Sequence, residues 1–305
     1  MKCRVGIDIG ATKVNIGILE EGRKVVTKRQ ISIRKGAFRP AAEEIAACLD
    51  TLLKASAIEY SKVESCGVGI PGTIDASGRV AMRVPNLGWI NEPAADIFEE
   101  LTGISTWLLQ DSRAAAFGEY MLGAGSEHRI CVCITLGTGI GTGIVIDGKI
   151  FDGALGCAGE IGHVPAVKGG RQCGCGRRGC LECYAAGKGL DISACELFGD
   201  GVTARTLFDK AKAGDTKAEN IIREALEMLG KEMVSIVNLL SPDCLLFSGG
   251  LIHQEELFLR PLIDFIEASC YRIADGPQVN ITVGQLGSDS PMIGAALFPA
   301  TKELP

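Results

Sequence analysis

The segment "VGIDIGATKVNIGIL", residues 5–19, decides the fold of this chain. Two runs of apolar residues flank a turn that contains Gly10 and Thr12, and Asp8 lies near the end of the first run. This pattern predicts two β-strands joined by a tight hairpin. Glycines let a backbone approach a ligand closely, exposed N–H groups bind anions, and a threonine hydroxyl adds a donor. A neighbouring carboxylate can hold Mg²⁺, directly or through water.

A second segment, "RICVCITLGTGIGTGIVIDGKI" (residues 129–150), repeats the same layout. Its turn contains Gly137, Thr138, Gly139, Gly141 and Thr142. One such turn alone is typical of an ordinary hairpin, but two that open the two halves of the chain favour a bound nucleotide. Neither turn has the Walker spacing or the dinucleotide-binding G-x-G-x-x-G spacing. A third cluster, Ser248-Gly249-Gly250, follows the strand-like "CLLF" and offers backbone on which an adenosine can lie.

The rest of the chain alternates between strand and helix periodicity, which predicts an α/β protein. Helices are expected over about 40–57, in "DSRAAAFGEYMLG", over about 203–240 and in "PMIGAALFPA"; further strands are expected in "SCGVGIP", "ISTWLLQ", "CLLFSGG" and "NITVGQL". The repeat predicts two similar α/β domains that face each other across a cleft. We expect residues 1–112 to form the first domain, with 291–305 packing back on it, and residues 113–290 to form the second.

The composition excludes several classes of protein. With 47% hydrophobic and 22% charged residues, the composition is that of a globular protein. The net charge of −6 gives no overall excess of positive charge with which to bind nucleic acid. No apolar run reaches the length of a membrane span, and the N-terminus enters a strand without a signal peptide, so we expect a cytoplasmic protein. Thirteen cysteines, an odd number, argue against a disulfide framework in that reducing compartment.

Four potential metal ligands lie within eighteen residues: His163, Cys173, Cys175 and Cys180. Three thiolates and one imidazole suit tetrahedral Zn²⁺, and the glycines between the cysteines allow sharp turns. Four protein ligands leave no open position, which predicts a structural metal that braces a loop. The alternative is a cluster of reactive or merely reduced thiols.

Two carboxylates flank this cluster, Glu160 in "GEIGH" and Glu182 two residues after Cys180. Either one alone is typical of a solvated surface charge. Together on a braced loop they are suitable acceptors for the hydroxyl groups of a polyol.

These motifs resemble the ROK family of sugar kinases and related repressors over essentially the whole chain. The resemblance is carried by Asp8-x-Gly10-x-Thr12, the second Gly/Thr turn, "GEIGH" and the run G-H-x9-C-x-C-G-x-x-G-C-x-E. It implies an actin/hexokinase-like (ribonuclease H-like) fold, duplicated in two domains with the sugar in the cleft between them. It also implies ATP with Mg²⁺, a hexose phosphorylated at its 6-hydroxyl by a glucokinase-type enzyme, and a homodimer or homotetramer.

The resemblance assigns roles to individual residues. Asp111, which could otherwise be only a helix N-cap, would be the general base. The sugar-binding residues would be Asn86, Gln110, Asp111, Glu160, His163 through its non-zinc nitrogen, and Glu182. The nucleotide and its metal would be bound by Asp8, Gly10, Thr12, Lys13, Gly137, Thr138, Gly139, Gly249 and Gly250.

The chain departs from the family around the base. The family sequence Asn-Asp-Ala-Asn is replaced by Gln110-Asp111-Ser112-Arg113. Gln110 is one methylene longer than asparagine, so we expect an altered sugar preference, whereas Arg113 is expected to point into solvent. Kinases for N-acetylmannosamine, N-acetylglucosamine, allose, fructose or mannose therefore stay open as alternatives, as does a non-catalytic sugar-binding protein. A repressor is disfavoured because the first strand begins by residue 4 and leaves no room for a winged helix.

Overall fold

A computed structural model of the chain describes residues 2–20 and 23–302. Its strands are β1 (Cys3–Ile9), β2 (Lys13–Glu20), β3 (Lys24–Ser32), β4 (Val63–Ile70), β5 (Thr73–Ile74), β6 (Ala81–Val84), β7 (Trp89–Glu92), β8 (Thr106–Gln110), β9 (Ile130–Leu136), β10 (Ile140–Ile146), β11 (Lys149–Ile150), β12 (Cys244–Ser248) and β13 (Asn280–Val283). Its helices are α1 (Phe38–Ala55), α2 (Ala94–Thr102), α3 (Asp111–Leu122), α4 (Glu182–Ala185), α5 (Gly187–Phe198), α6 (Ala204–Lys212), α7 (Thr216–Leu240), α8 (Arg260–Ser269), α9 (Ser290–Leu297) and α10 (Pro299–Lys302). Each helix and strand predicted from the sequence is present, with ends shifted by a few residues.

Two five-stranded sheets repeat one topology. The first has the order β3-β2-β1-β4-β8 and the second has the order β11-β10-β9-β12-β13. In the first sheet β1 pairs antiparallel with β2 and parallel with β4, and in the second β12 pairs parallel with both β9 and β13. The layout predicted from the two Gly/Thr hairpins is therefore present twice. A small third sheet has the order β5-β6-β7.

The chain divides into two compact units. The first comprises Met1–Glu127, Gly143–Ala158 and Gln285–Pro305, and the second comprises His128–Thr142 and Gly159–Gly284. The boundary predicted between residues 112 and 113 falls inside α3, whereas all of α3 lies in the first unit. The reason is that α3 packs along α9, and α9 packs on β1 and β4 of the same unit.

The return of the last helix depends on glycines. A Cβ atom on Gly67 of β4 would lie 1.7 Å from the carbonyl oxygen of Ala295, and one on Gly294 would lie 1.8 Å from the carbonyl oxygen of Ala114. Backbone therefore contacts backbone on two sides of α9, an approach that any larger residue would prevent. The segment from Gln285 onward belongs to the first unit; residues 303–305 of the segment predicted to pack back lie outside the described residues.

A buried glutamate also holds α9 in place. Glu119 of α3 has no exposed surface, and its Oε1 accepts a hydrogen bond from the backbone N–H of Leu286 (2.8 Å). Its Oε2 accepts from the N–H groups of Gln285 (3.0 Å) and Ala124 (3.2 Å). A buried carboxylate is stable where such donors replace its water shell. Glu119 thus joins α3 to the segment that leads into α9.

An aromatic cluster in the first unit joins α1, α2 and β7. The ring of Phe38 meets Trp89 edge to face at 4.8 Å and Phe98 at 5.7 Å, and Trp89 Nε1 donates to the carbonyl of Gly36 (3.0 Å). Each fully buried large side chain stabilises the fold by roughly 1.5–3 kcal/mol. The cluster holds the β6–β7 hairpin, whose turn carries Asn86, against the rest of this unit.

Within the described ranges, none of the helices combines the length and the hydropathy that a bilayer crossing requires.

Candidate active site

Asp8 heads a row of polar side chains across three strands. It pairs across the sheet with Asn15 of β2, which pairs with Gln30 of β3. Asn15 Nδ2 donates to Asp8 Oδ2 (3.1 Å), and Gln30 Nε2 donates to Asn15 Oδ1 (2.8 Å). Burial raises the pKa of Asp8 to about 6, against a smaller lowering by the hydrogen bond from Asn15. Neither Asn15 nor Gln30 was singled out from the sequence, because only the strand register aligns them with Asp8.

The first Gly/Thr turn is held by backbone hydrogen bonds. The N–H of Gly10 donates to the carbonyl of Lys13 (2.8 Å), and the N–H of Ile33 donates to the carbonyl of Thr12 (3.0 Å). Thr12 and Lys13 are exposed. The turn is therefore fixed in place while its outer residues stay open to a ligand.

The candidate base lies at the same edge of the first sheet as Asp8. Asp8 pairs with Gly69 of β4, Gly69 pairs with Leu109 of β8, and β8 ends at Gln110, immediately before Asp111. Since β1, β4 and β8 are parallel, their carboxyl ends share one edge, where ligands bind in open α/β sheets. Two strand spacings separate the backbone of Asp8 from that of Leu109, two residues before Asp111, by about 10 Å.

Asp111 itself is the first residue of α3 and not its N-cap. Gln110, with an extended backbone, occupies the cap position, and Ser112 N–H donates to Asp111 Oδ1 (2.7 Å). Both Gln110 and Asp111 are half-buried. A carboxylate in the first turn is favoured by the partial positive charge at the helix N-terminus.

The expectation that Arg113 points into solvent was wrong. Its side chain is only 12% exposed, and its Nη1 lies 2.8 Å from Asp152 Oδ1. Its Nη2 donates to the carbonyls of Gly156 (2.7 Å) and Ala158 (3.3 Å). The segment that follows β11 returns to α3, and this return supplies partners that the helix pattern alone does not reveal.

The four predicted metal ligands converge in the second unit. One ligand atom from each of His163, Cys173, Cys175 and Cys180 lies within 4.8 Å of all the others. Cys173 Sγ is 3.6 Å from His163 Nδ1, and Cys175 Sγ is 3.6 Å from Cys180 Sγ. Three sulfur atoms and one nitrogen at these separations fit tetrahedral Zn²⁺ with slight contraction.

Glu182 connects the metal cluster to the second Gly/Thr turn. Its Oε1 lies 3.8 Å from Cys173 Sγ, and its Oε2 accepts a hydrogen bond from the N–H of Ile140 (3.2 Å). A Cβ atom on Gly139 would lie 2.3 Å from that Oε2, so a larger residue at this position would displace the Glu182 carboxylate. The predicted phosphate loop and the predicted sugar ligand are therefore one packed unit.

Glu160 and His163 lie on one short helical turn, residues 161–163 and the residue before it. Since His163 Nδ1 faces Cys173, its Nε2 is the nitrogen that faces away from the cluster. Nε2 lies 3.9 Å from Glu160 Oε2, and Glu160 is exposed. The side chains thus offer a ring nitrogen and a carboxylate side by side.

The second unit also contains a cavity of about 390 Å³ at its Gly/Thr turn. It is lined by Gly137, Thr138, Gly187, Lys188, Asp191, Ala204, Gly250 and Leu251. The N–H groups of Gly187 and Lys188 donate to the carbonyls of Gly137 (2.9 Å) and Thr138 (3.2 Å), which fixes the turn to the start of α5. Lys188 and Asp191 were missed because nothing in their local sequence marks them.

The remaining predicted residues are placed as follows. Gly249 has a φ of +96°, and a Cβ atom on it would lie 2.5 Å from the carbonyl oxygen of Leu136 at the end of β9. Gly250 lines the cavity just described, and Asn86 is exposed in the turn between β6 and β7. Gly249 therefore lets β12 end directly beside the second Gly/Thr turn.

These features can be compared with known proteins. The model of the ROK family matches residues 4–302. The chain belongs to the ROK family. Its fold is accordingly the predicted actin/hexokinase-like α/β fold, duplicated in two domains.

Individual relatives of this ROK protein are of similar length. It is 33% identical to the glucokinase of Halalkalibacterium halodurans, over 98% of this chain and 95% of the relative. It is 30% identical to the N-acetylmannosamine kinase of Salmonella arizonae, over 96% of this chain and 97% of the relative. The crystal structure of a ROK family glucokinase from Streptomyces griseus in complex with glucose and AMPPNP superposes with a TM-score of 0.79 at 29% identity, covering 96% of this chain and 98% of that one.

Proposed function

We propose that this ROK protein transfers the γ-phosphoryl group of ATP to the 6-hydroxyl of a hexose. The observation that carries the proposal is the placement of Asp8 and Asp111 at the carboxyl edge of one sheet, in a member of a sugar kinase family. One carboxylate beside a Gly/Thr turn suits a phosphate-bound metal, and the other suits a hydroxyl that loses a proton. The glucokinase and N-acetylmannosamine kinase relatives support the same activity.

Asp111 is the proposed general base. Its carboxylate accepts the proton of the sugar 6-hydroxyl as that oxygen attacks the γ-phosphorus; the O6–P bond forms, the bond to the bridging oxygen of ADP breaks, and ADP leaves. The hydrogen bond from Ser112 N–H to Asp111 Oδ1 orients the carboxylate. Sugar binding is assigned to Gln110, which adjoins this base, and to the exposed Asn86.

The residues proposed to hold phosphate and Mg²⁺ are Asp8, Gly10, Thr12 and Lys13. The oxygen donors fit a hard cation, and the row through Asn15 orients the Asp8 carboxylate. Bound Mg²⁺ would neutralise charge on the phosphates. Burial raises the pKa of Asp8, so the neutral form persists to higher pH until a cation is present.

We assign the nucleotide to the cavity beside the second Gly/Thr turn. Gly137, Thr138 and Gly139 offer backbone and hydroxyl donors to phosphate, and Gly249 and Gly250 offer backbone to the adenosine. The exposed Lys188 adds a positive charge at the cavity, as the polyanionic ligand requires.

Zn²⁺ is assigned to His163, Cys173, Cys175 and Cys180. With four protein ligands it would be structural, supplying a rigid brace and no reaction step. The braced loop presents Glu160, His163 Nε2 and Glu182, which we propose as acceptors and donors for sugar hydroxyls. His163 would use one nitrogen for the metal and the other for the sugar.

Glucose is the first expected substrate. The second candidate is an N-acyl hexosamine, favoured by the replacement of the family asparagine with Gln110 and by the N-acetylmannosamine kinase relatives. A homodimer or homotetramer and a cytoplasmic location stay predictions.

The decisive experiment incubates the protein with Mg-ATP and a panel of hexoses and follows ADP release. Phosphorylation of at least one hexose at O6 is expected, and Asp111→Asn should reduce kcat at least 100-fold while sugar binding, measured by calorimetry, persists. Turnover by Asp111→Asn close to that of the parent would disprove the assigned base. Absence of any hexose phosphorylation by the parent would disprove the proposed function.

A further inference from the structure

We propose that Arg113 is a positioning residue that fixes residues 152–158 against the base helix and thereby sets the affinity for the sugar. The inference rests on the proposed function, since it concerns the sugar site of the same reaction. Arg113 stands at the position of the second asparagine in the family sequence and is one of the three changes around the base, with Gln110 and Ser112.

The guanidinium group of Arg113 holds this segment at three points. Nη1 pairs with the Asp152 carboxylate at 2.8 Å, and Nη2 donates to the carbonyls of Gly156 and Ala158 at 2.7 and 3.3 Å. The segment closes on itself through the hydrogen bond from Ala158 N–H to the Asp152 carbonyl (3.0 Å). The arginine therefore binds both ends of one loop.

Little else in the described structure anchors the loop. Residues 153–157 are all exposed, and Leu155 is 89% exposed, so burial of apolar surface does not hold them. Gly153 and Gly156 both have a φ of +69°, which glycine adopts without strain. Because glycine also has the largest conformational freedom, these residues do not make the loop rigid. The loop is therefore fixed by the contacts of the Arg113 guanidinium group, whereas apolar packing fixes buried segments elsewhere in the protein.

The strand before the loop also packs tightly on the same turn of α3. A Cβ atom on Gly143 of β10 would lie 2.3 Å from Ala116 Cβ and 3.0 Å from Arg113 Cα. The segment 143–158 is consequently attached to α3 at its beginning by packing and at its end by Arg113.

The two ends of this attachment lie close in sequence to proposed site residues. Arg113 is two residues after Asp111, and Ala158 is two residues before Glu160. Arg113 therefore ties the backbone beside the proposed base to the backbone that enters the proposed sugar ligands. An asparagine is too short to reach three acceptors, so the family residue could not make the same link.

The test compares Arg113→Asn, Arg113→Lys and Asp152→Asn with Arg34→Asn, which changes an exposed arginine outside the site. Displacement of a substrate-positioning group by about 1 Å can reduce turnover efficiency 100-fold. We expect Arg113→Asn to raise the KM for the hexose about tenfold or more, with the KM for ATP within about twofold of the parent. Arg113→Lys should recover part of the loss, because lysine keeps the charge opposite Asp152 but not the fork.

A second measurement does not depend on catalysis. Hydrogen exchange of residues 152–158 should accelerate in Arg113→Asn and in Asp152→Asn, and should not change in Arg34→Asn. Unchanged exchange in Arg113→Asn would overturn the inference, even if the protein phosphorylates a hexose. Equal increases in both KM values, accompanied by a lower Tm, would also overturn it, because they indicate a purely structural arginine. If the exchange result holds but no hexose is phosphorylated, the proposed function fails and the link to sugar affinity fails with it.

Discussion

Replacing Glu119 by glutamine should destabilise the first unit strongly. The carboxylate is fully buried and accepts three backbone N–H groups, from Ala124, Gln285 and Leu286. Glutamine has nearly the same shape, but one of its two polar ends is an amide NH₂ that cannot accept from an N–H group. The change therefore tests the hydrogen bonds without opening a cavity.

The size of the effect follows from the two possible orientations of the amide. With the NH₂ at the Oε2 position two backbone donors lose their acceptor, and with the NH₂ at the Oε1 position only Leu286 N–H loses it. The second orientation is cheaper, and one unsatisfied buried donor costs about 1–3 kcal/mol. The two remaining hydrogen bonds also lose the contribution of the charge, so the total is about 2–4 kcal/mol.

Thermal unfolding measures this directly. The first unit lies in the size range of about 150–250 residues, for which about 1 kcal/mol corresponds to roughly 2–4 °C, so Glu119→Gln should lower the Tm of this unit by about 4 °C or more. The matched control is Glu227→Gln, an exposed glutamate in α7, which should leave Tm unchanged. A Tm for Glu119→Gln within about 1 °C of the parent would refute the role assigned to this carboxylate.

Three further predictions concern the site. Burial raises the folded-state pKa of Asp8 to about 6, above its unfolded value. The contribution of Asp8 to stability is therefore fully present below the unfolded pKa and is lost as pH rises through about 6. The Tm of the parent should accordingly fall relative to the Tm of Asp8→Asn between about pH 4.5 and 7, and a constant Tm difference would contradict this. Elemental analysis should find about one zinc per chain, lost in Cys180→Ser but not in Cys195→Ser, and a metal-free preparation with full sugar affinity would exclude the brace. Gln110→Asn should change the ranking of glucose, mannose, allose and N-acetyl hexosamines, whereas an unchanged ranking would show that Gln110 does not select the sugar.

The local parts of the site were predictable from the sequence. The Gly/Thr hairpins and the junction at Asp111 each occupy a few consecutive residues, and the predicted metal ligands lie within eighteen; in each case the residue types restrict the backbone or the chemistry. The duplicated α/β fold follows from the same patterns, because strand and helix periodicities are local properties. The family motifs then identify a sugar kinase without any distance being known.

Contacts between remote parts of the chain were not predictable in this way. Asn15 and Gln30 orient Asp8 only because β1, β2 and β3 pair in one register. Lys188 lines the cavity at the second Gly/Thr turn because α5 begins against that turn. The hydrophobic periodicity of the sequence does not determine such a strand register or such a packing contact, because each depends on how two separate segments meet in the fold.

The sequence alone therefore determined the fold, the family and the chemically marked residues, including the departures at Gln110 and Arg113. Tertiary structure decided what the unmarked residues do: Glu119 binds backbone at residues 285 and 286, and Arg113 binds the loop at 152–158 in place of solvent. The physical reason is that a charged side chain on a helix binds the polar groups that the fold places near it. The residue type determines how strongly the side chain binds such groups, and only the tertiary structure determines which groups they are.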